Sequence, residues 1–190
     1  MSGAAAGPVG PPAAVLIGPP GAGKTTVGRL LARQLGVAFR DTDADIEAAA
    51  GKPVGDIFIQ DGEPAFRALE REAVAAALRE HSGVLGLGAG AVLDRGTQEL
   101  LAGHIVVYLE TGFTVAFHRT GLDRPRPLLL GNPRARLKQL LDERLPIYER
   151  LATLTVPTDD YAPEEVADEA AGKITAAAAR GTPGADGQPG

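Results

Sequence analysis

Short apolar or β-branched runs alternate along this chain with stretches in which apolar residues recur every three or four positions. The runs are AAVLI (13–17), VAFR (37–40), GVLGL (83–87), HIVVYLE (104–110) and TLTV (153–156), and their lengths suit strands rather than helices. Between them the spacing turns helical. After Lys24, residues Val27, Leu30, Leu31 and Leu35 share a stripe that Gly36 terminates. From about Pro64 to Glu80, residues Phe66, Leu69, Ala73, Ala77 and Leu78 lie on or near another stripe. NPRARLKQLLDERL (132–145) opens with Asn132 as N-cap and Pro133 at the first helical position. APEEVADEAAGKITAAAA (162–179) again places a proline, Pro163, near its start. Strands alternating with helices predict an α/β domain, a parallel sheet covered on both faces. Ligands of such sheets bind at the carboxyl ends of the strands, and each chemical motif below follows one of the strand candidates or lies in a segment that leads back to that edge.

Composition narrows the chemistry. The chain has 190 residues, 44% of them apolar and 23% charged, which suits one globular domain. Residues 1–12 and 181–190 are rich in Gly, Pro and Ala and read as disordered tails around a single domain at 13–180. The absence of cysteine excludes disulfides, thiolate metal sites and thiol catalysis. Three scattered histidines disfavour a transition-metal site. No apolar run approaches the ~20 residues of a membrane span, and the N-terminus lacks the pattern of a secretory signal. A net charge of −5 without a basic run argues against nucleic-acid binding. A cytoplasmic protein with small-molecule ligands is the expectation.

The stretch GPPGAGKT matches G-x-x-x-x-G-K-[ST] through Gly18, Gly23, Lys24 and Thr25, and it lies between a strand and a helix. Glycines let successive backbone N–H groups curve around phosphate oxygens, and the helix N-terminus adds favourable partial charge. Lys24 is placed to reach the β- and γ-phosphates and Thr25 to bind Mg²⁺. A nucleoside triphosphate is implied; its acceptor is not.

The acceptor side begins at RDTDAD. In an extended segment Asp41 and Asp43 point to the same side, one toward Mg²⁺ and one toward an acceptor hydroxyl whose proton it could take. Equally, Thr42 or Asp43 could cap a helix in ADIEAAAG. Arg67 lies in EPAFRALE, Arg126 in GLDRPRPLLLGN, a Gly- and Pro-bounded segment suited to a lid, and Arg144 in DERLPIY. Each could grip a carboxylate or phosphate in two-pronged fashion, or merely form a surface ion pair.

In order and spacing, GPPGAGKTT, DTDADIE, DIFIQDGEPAFRALE, VLGLGAGAV, RPLL and RLPIYERLA make residues 13–175 resemble the shikimate kinase family. The resemblance implies a three-layer α/β/α P-loop kinase fold, with a five-stranded parallel sheet and a mobile lid at about 120–133. It implies ATP as co-substrate, Mg²⁺, and phosphorylation of the 3-hydroxyl of shikimate by a monomer, in the route to chorismate and the aromatic amino acids. Carried over by position, Gly21, Ala22, Gly23, Lys24, Thr25 and Thr26 would cradle ATP, with Arg119 near the adenine. Thr25 and Asp41 would hold the metal, and Asp43 would serve as base. Arg67 and Arg144 would clamp the acceptor carboxylate, Arg126 would close onto the transferring phosphate, and Phe58 and Phe66 would line the ring pocket. Gly88, Ala89 and Gly90 stand where the family carries three glycines, at a loop against the acceptor. Tyr161 stands where many relatives place an arginine over the adenine. Another small-molecule kinase of this architecture, such as a gluconate kinase or a nucleoside-monophosphate kinase, or a nucleotide-binding regulatory module without catalysis, is the alternative; the aspartates with Arg67 and Arg144 fit a polyol carboxylate better.

Overall fold

The computed structural model describes residues 10–121 and 132–181. In chain order the elements are β1 (Ala14–Ile17), α1 (Lys24–Leu35), β2 (Phe39–Asp41), α2 (Thr42–Ala50), α3 (Val54–Gln60), α4 (Glu63–Glu80) and β3 (Val84–Gly86). After a 3-10 turn (Ala91–Leu93) come α5 (Arg95–Leu100), β4 (Val106–Glu110), α6 (Phe113–Arg119), α7 (Pro133–Leu151), β5 (Leu154–Pro157) and α8 (Pro163–Gly181). The strands form one five-stranded sheet in the order β2-β3-β1-β4-β5. Every pairing is parallel; Val15 on β1 sits opposite Leu85 on one side and Val106 on the other.

Strand β1 is buried throughout, which is why it reads as a continuous apolar run instead of an alternation. Its side chains nonetheless divide by parity. Ala14 and Leu16 face α1 and α8, among Val27, Leu31, Val166 and Ala170. Val15 and Ile17 face α4 and α7, among Val74, Ala77, Leu78 and Tyr148. A satellite cluster of Ile46, Ile57 and Phe66 seats α2 and α3 on α4. The sheet is thus covered on both faces, and the three layers follow from its need to bury two apolar surfaces.

Among the boundaries that differ from the sequence pattern, three have a clear local reason. Strand β2 starts at Phe39 instead of Val37, because the Val37 N–H donates to Ala32 O at 2.9 Å and closes the end of α1. Helix α2 starts at Thr42, directly after β2, so Asp43 is helical and the extended-strand argument for Asp41 and Asp43 does not hold. Capping wins there, with Asp41 as the cap: its side chain accepts from the Asp43 N–H. Helix α7 opens as expected, Asn132 Oδ1 accepting from Ala135 N at 3.1 Å, but continues through Pro146 to Leu151. An internal proline costs about 3 kcal/mol. What the helix gains beyond it is the burial of Tyr148, whose ring stacks on Tyr108 at a centroid distance of 5.3 Å.

Helix α8 reaches Gly181, one residue beyond the expected end of the domain. Residues 1–9, 122–131 and 182–190 lie outside the described residues; they include most of both tails, most of the lid at 120–133, and Arg126.

Candidate active site

The loop between β1 and α1 turns on Gly21 and Gly23, at φ +80° and +86°, conformations that side chains other than glycine rarely adopt. Its geometry aims the start of α1 into the groove above β1 and β3. The first turn of α1 carries no acidic side chain and no side-chain cap, which leaves the positive end of its dipole for an anion. Lys24 Nζ folds back onto the loop, donating to Gly18 O at 2.8 Å and Pro19 O at 3.1 Å. Burial lowers its pKa to about 8, against the pull of Asp43 and Asp41, with Arg144 adding to the fall. A cavity of about 290 Å³ opens here, walled by Gly21, Gly23, Lys24, Thr25, Thr26, Asp41 and Asp43. Ala22 sits beneath the loop, 1% exposed, with its N–H donating to Pro19 O at 3.2 Å.

Asp41 and Asp43 meet in that wall. Asp41 Oδ2 accepts from Thr25 Oγ1 at 2.8 Å, and Asp41 Oδ1 accepts from the Asp43 N–H at 3.0 Å. Capping therefore turns Asp43 into the same cavity that strand parity was expected to reach. Asp43 Oδ1 is buried without a hydrogen-bond partner. Burial and the Asp41 charge push the Asp43 carboxyl up to about 6, although Lys24 opposes them; Glu70 and Glu47 add to the rise. A carboxylate held in this way is a stronger base than an exposed aspartate.

The second glycine loop follows β3, and close approaches explain where it needs glycine. A methyl group at Gly88 would lie 2.5 Å from Asp43 Oδ1 and 2.9 Å from Glu70 Oε1. At Gly90 it would run into the Arg67 guanidinium. Position 89 is different: Ala89 is only half-buried, and among the described residues no side chain other than glycine sits at positive φ. Ala89 thus adopts a backbone conformation open to any residue. Its carbonyl, not its N–H, is engaged, accepting from Arg144 Nη1 at 3.3 Å and Tyr148 Oη at 2.7 Å.

Arg67 and Arg144 thus converge on adjacent residues of one loop from different helices. Arg67 Nη1 donates to Glu70 Oε2 at 2.6 Å, its Nη2 pairs with Glu63 at 3.1 Å, and its guanidinium lies over the rings of Phe66 and Phe58. Those two rings touch at 4.4 Å between centroids, and Phe58 remains 36% exposed. On the far side of the first loop, Arg119 donates to Thr158 Oγ1 at 3.1 Å and Thr158 O at 2.8 Å. With Thr26, Tyr161 and Pro163 it walls a second cavity of about 260 Å³. Tyr161 is 47% exposed at its rim.

Three contributors escaped the sequence reading. Glu70 is 3% exposed, and burial raises its pKa despite Arg67 beside it; an acid at i+3 from Arg67 and one turn from Phe66 was the available signal. Thr42, fully buried, accepts from the Gly88 N–H at 3.2 Å and so ties α2 to the second glycine loop. Tyr148 lies inside RLPIYERLA, one of the stretches behind the resemblance, but was assigned no role, since it lies beyond the proline where the helical pattern stops.

A phosphate-binding loop, with a buried carboxylate and paired arginines at the same edge of a five-stranded parallel sheet, places the chain among P-loop phosphotransferases. A family model described as shikimate kinase matches residues 20–175. A shikimate kinase of Thermobifida fusca is 65% identical over 87% of this chain and 96% of its own length. A solved structure of shikimate kinase from Acinetobacter baumannii in complex with shikimate has a TM-score of 0.81 at 38% identity, covering 88% of this chain and 94% of that one. A gluconokinase from Sinorhizobium meliloti, at 20% identity and a TM-score of 0.54, shares the fold alone. The chain belongs to the shikimate kinase family and is an ATP-dependent kinase.

Proposed function

We propose that this chain transfers the γ-phosphoryl group of ATP to the 3-hydroxyl of shikimate, with Arg67 and Arg144 gripping the acceptor carboxylate and Asp43 taking the hydroxyl proton. The observation that carries the reading is the unpartnered Asp43 Oδ1 beside Gly88, one residue from where Arg144 reaches the loop. An acceptor whose carboxylate bridges the arginines presents its ring to Asp43. The hydroxyl oxygen then attacks the γ-phosphorus, the bond to the bridging oxygen of ADP breaks, and the hydroxyl proton passes to Asp43 Oδ1.

Lys24 leaves its carbonyl partners for the β- and γ-phosphates, where its charge offsets that of the transferring group. Gly21, Ala22, Gly23 and Thr26 shape the phosphate and ribose side of the groove, and Arg119 with Tyr161 flanks the adenine. Arg126 belongs to the same reading, closing on the transferring phosphate. Thr25 Oγ1 and Asp41 Oδ2, 2.8 Å apart at the rim of the loop, fit Mg²⁺, which takes few protein ligands and completes its shell with water and phosphate oxygens. Bound there, the ion would neutralise charge on the β- and γ-phosphates. Phe58 and Phe66 cover the apolar face of the acceptor ring. The setting we infer is a cytoplasmic monomer working on two small anions, apart from membranes and nucleic acids; among the described residues no helix is long and apolar enough to cross a membrane.

The test is a coupled ADP-release assay with shikimate, gluconate and nucleoside monophosphates as acceptors. Turnover with shikimate alone is expected. Arg67→Lys and Arg144→Lys keep charge but lose the planar fork, and each should raise the KM for shikimate at least ~10-fold, about 1.4 kcal/mol, with the KM for ATP little changed. Esterifying the carboxylate should weaken the native enzyme strongly and these variants much less. Additive losses would show that the arginines grip something else.

A further inference from the structure

We infer that Tyr148 is a positioning residue for acceptor binding: it holds the Ala89 carbonyl so that Arg144 can leave that carbonyl for the acceptor carboxylate. The inference rests on the clamp role proposed above for Arg144. Two donors share this one acceptor, Tyr148 Oη at 2.7 Å and Arg144 Nη1 at 3.3 Å. They differ in freedom. Tyr148 is 2% exposed, its ring stacked 12° from parallel on Tyr108 of β4. Burial, only partly countered by Arg144, pushes its hydroxyl up to about 12, so it stays a donor throughout the working range. Arg144 lines a cavity with Arg136, Gln139 and Glu143 and has room to turn.

Arg144 thus rests on a backbone oxygen at the edge of the acceptor loop, near where the carboxylate would bind. When it turns to that carboxylate, the Ala89 carbonyl keeps a partner only because Tyr148 remains. A carbonyl left without one would charge its lost hydrogen bond against substrate binding. The same helix is tied to the segment after this loop a second time, through Arg150 Nη2 to Gln98 Oε1 at 2.8 Å and Gln98 Nε2 to Val92 O at 2.7 Å. The loop thus stays in place while a single side chain swings.

The experiment is a double-mutant cycle on shikimate dissociation constants, measured calorimetrically, with steady-state kinetics and thermal melts in parallel. Tyr148→Phe keeps the stacked ring and removes only the hydroxyl. In the native background it should weaken shikimate by about 3- to 10-fold, the weight of one neutral hydrogen bond, with kcat and the KM for ATP within twofold. In an Arg144→Met background the carbonyl lacks its second donor with or without substrate, so Tyr148→Phe should leave the remaining shikimate affinity unchanged. Equal weakening in both backgrounds would assign Tyr148 a structural role and overturn the inference. So would no weakening in the native background while Arg144→Met still impairs binding. If Arg144→Met itself leaves shikimate binding intact, it is the clamp reading that fails.

Discussion

Asp43 sits among charges that pull in opposite directions. Burial and Asp41 raise its carboxyl to about 6, Lys24 holds it down, and Glu70 and Glu47 add smaller pushes upward. If Asp43 is the base proposed above, it must be unprotonated to act, so the rate should fall as pH drops through about 6. At the other end, Lys24 of the free enzyme loses its charge as pH rises through about 8, which should appear as weaker ATP binding; bound phosphates hold the charge on, so turnover at saturation should change little. Asp43→Asn keeps the shape of the side chain but cannot accept a proton. Turnover should fall by roughly 10²–10⁴-fold, and the acid limb of the profile should vanish with it. Initial rates from pH 5 to 9, with each substrate varied in turn, test both statements. If ATP affinity fell as far as turnover, Asp43 would be serving the metal, and Asp41 would become the better candidate base.

Among the elements, the loop after β3 shows why some glycines are replaceable and others are not. Ala89→Gly removes a methyl group from a position not at positive φ, so it should shift the KM for shikimate by less than about tenfold and hardly touch turnover. Gly90→Ala drives a methyl into the Arg67 guanidinium, and should raise the same KM by roughly tenfold or more while sparing the KM for ATP. Kinetics on the two variants side by side decide whether close approach or sequence pattern sets the requirement. The contrast also marks what could be read before the fold was known. The phosphate loop was legible because its chemistry is contiguous, a strand, glycines and a lysine in a single stretch. The arginines were legible as residue types, and the strands as apolar runs. The engagement of the Ala89 carbonyl was not, because any residue carries a carbonyl and only tertiary structure selects which one is used. Tyr148 stayed hidden for a related reason: Pro146 reads as a helix end, and the burial that carries α7 past it comes from β4. The helical Asp43 stayed one of two open readings because strand parity and an N-cap put the same two carboxylates in one cavity, and only the backbone tells them apart.

At the scale of the whole molecule, a chain of net charge −5 must draw in two anionic substrates. On the proposed reading it does so by gathering Lys24, Arg67 and Arg144 at one edge of the sheet, where local potential counts for more than the total. That arrangement costs stability, because the groups that do the chemistry are buried ahead of the ligands that satisfy them. Asp43 makes the cost measurable. Its carboxyl ionises at about 6 in the fold against 3.8 in its ordinary state, so the fold favours the protonated form. Below the lower value the group is protonated whether the chain is folded or not, and its favourable contribution is fully present. As pH rises through about 6 that contribution is lost, and above it the buried charge opposes folding. An asparagine carries no such charge. Asp43→Asn should therefore stabilise the unliganded protein at pH 7.5 by about 1–2 kcal/mol, discounted for partial solvent access from the 1.36 kcal/mol that each pKa unit represents. In a domain of this size that corresponds to roughly 3–6 °C in Tm. The gain should shrink toward zero near pH 4. Melting curves of the native and variant proteins across that range provide the check. Equal melting temperatures at pH 7.5 would mean that the carboxylate is solvated in the free enzyme, and the argument for its strength as a base would fall with its cost to the fold.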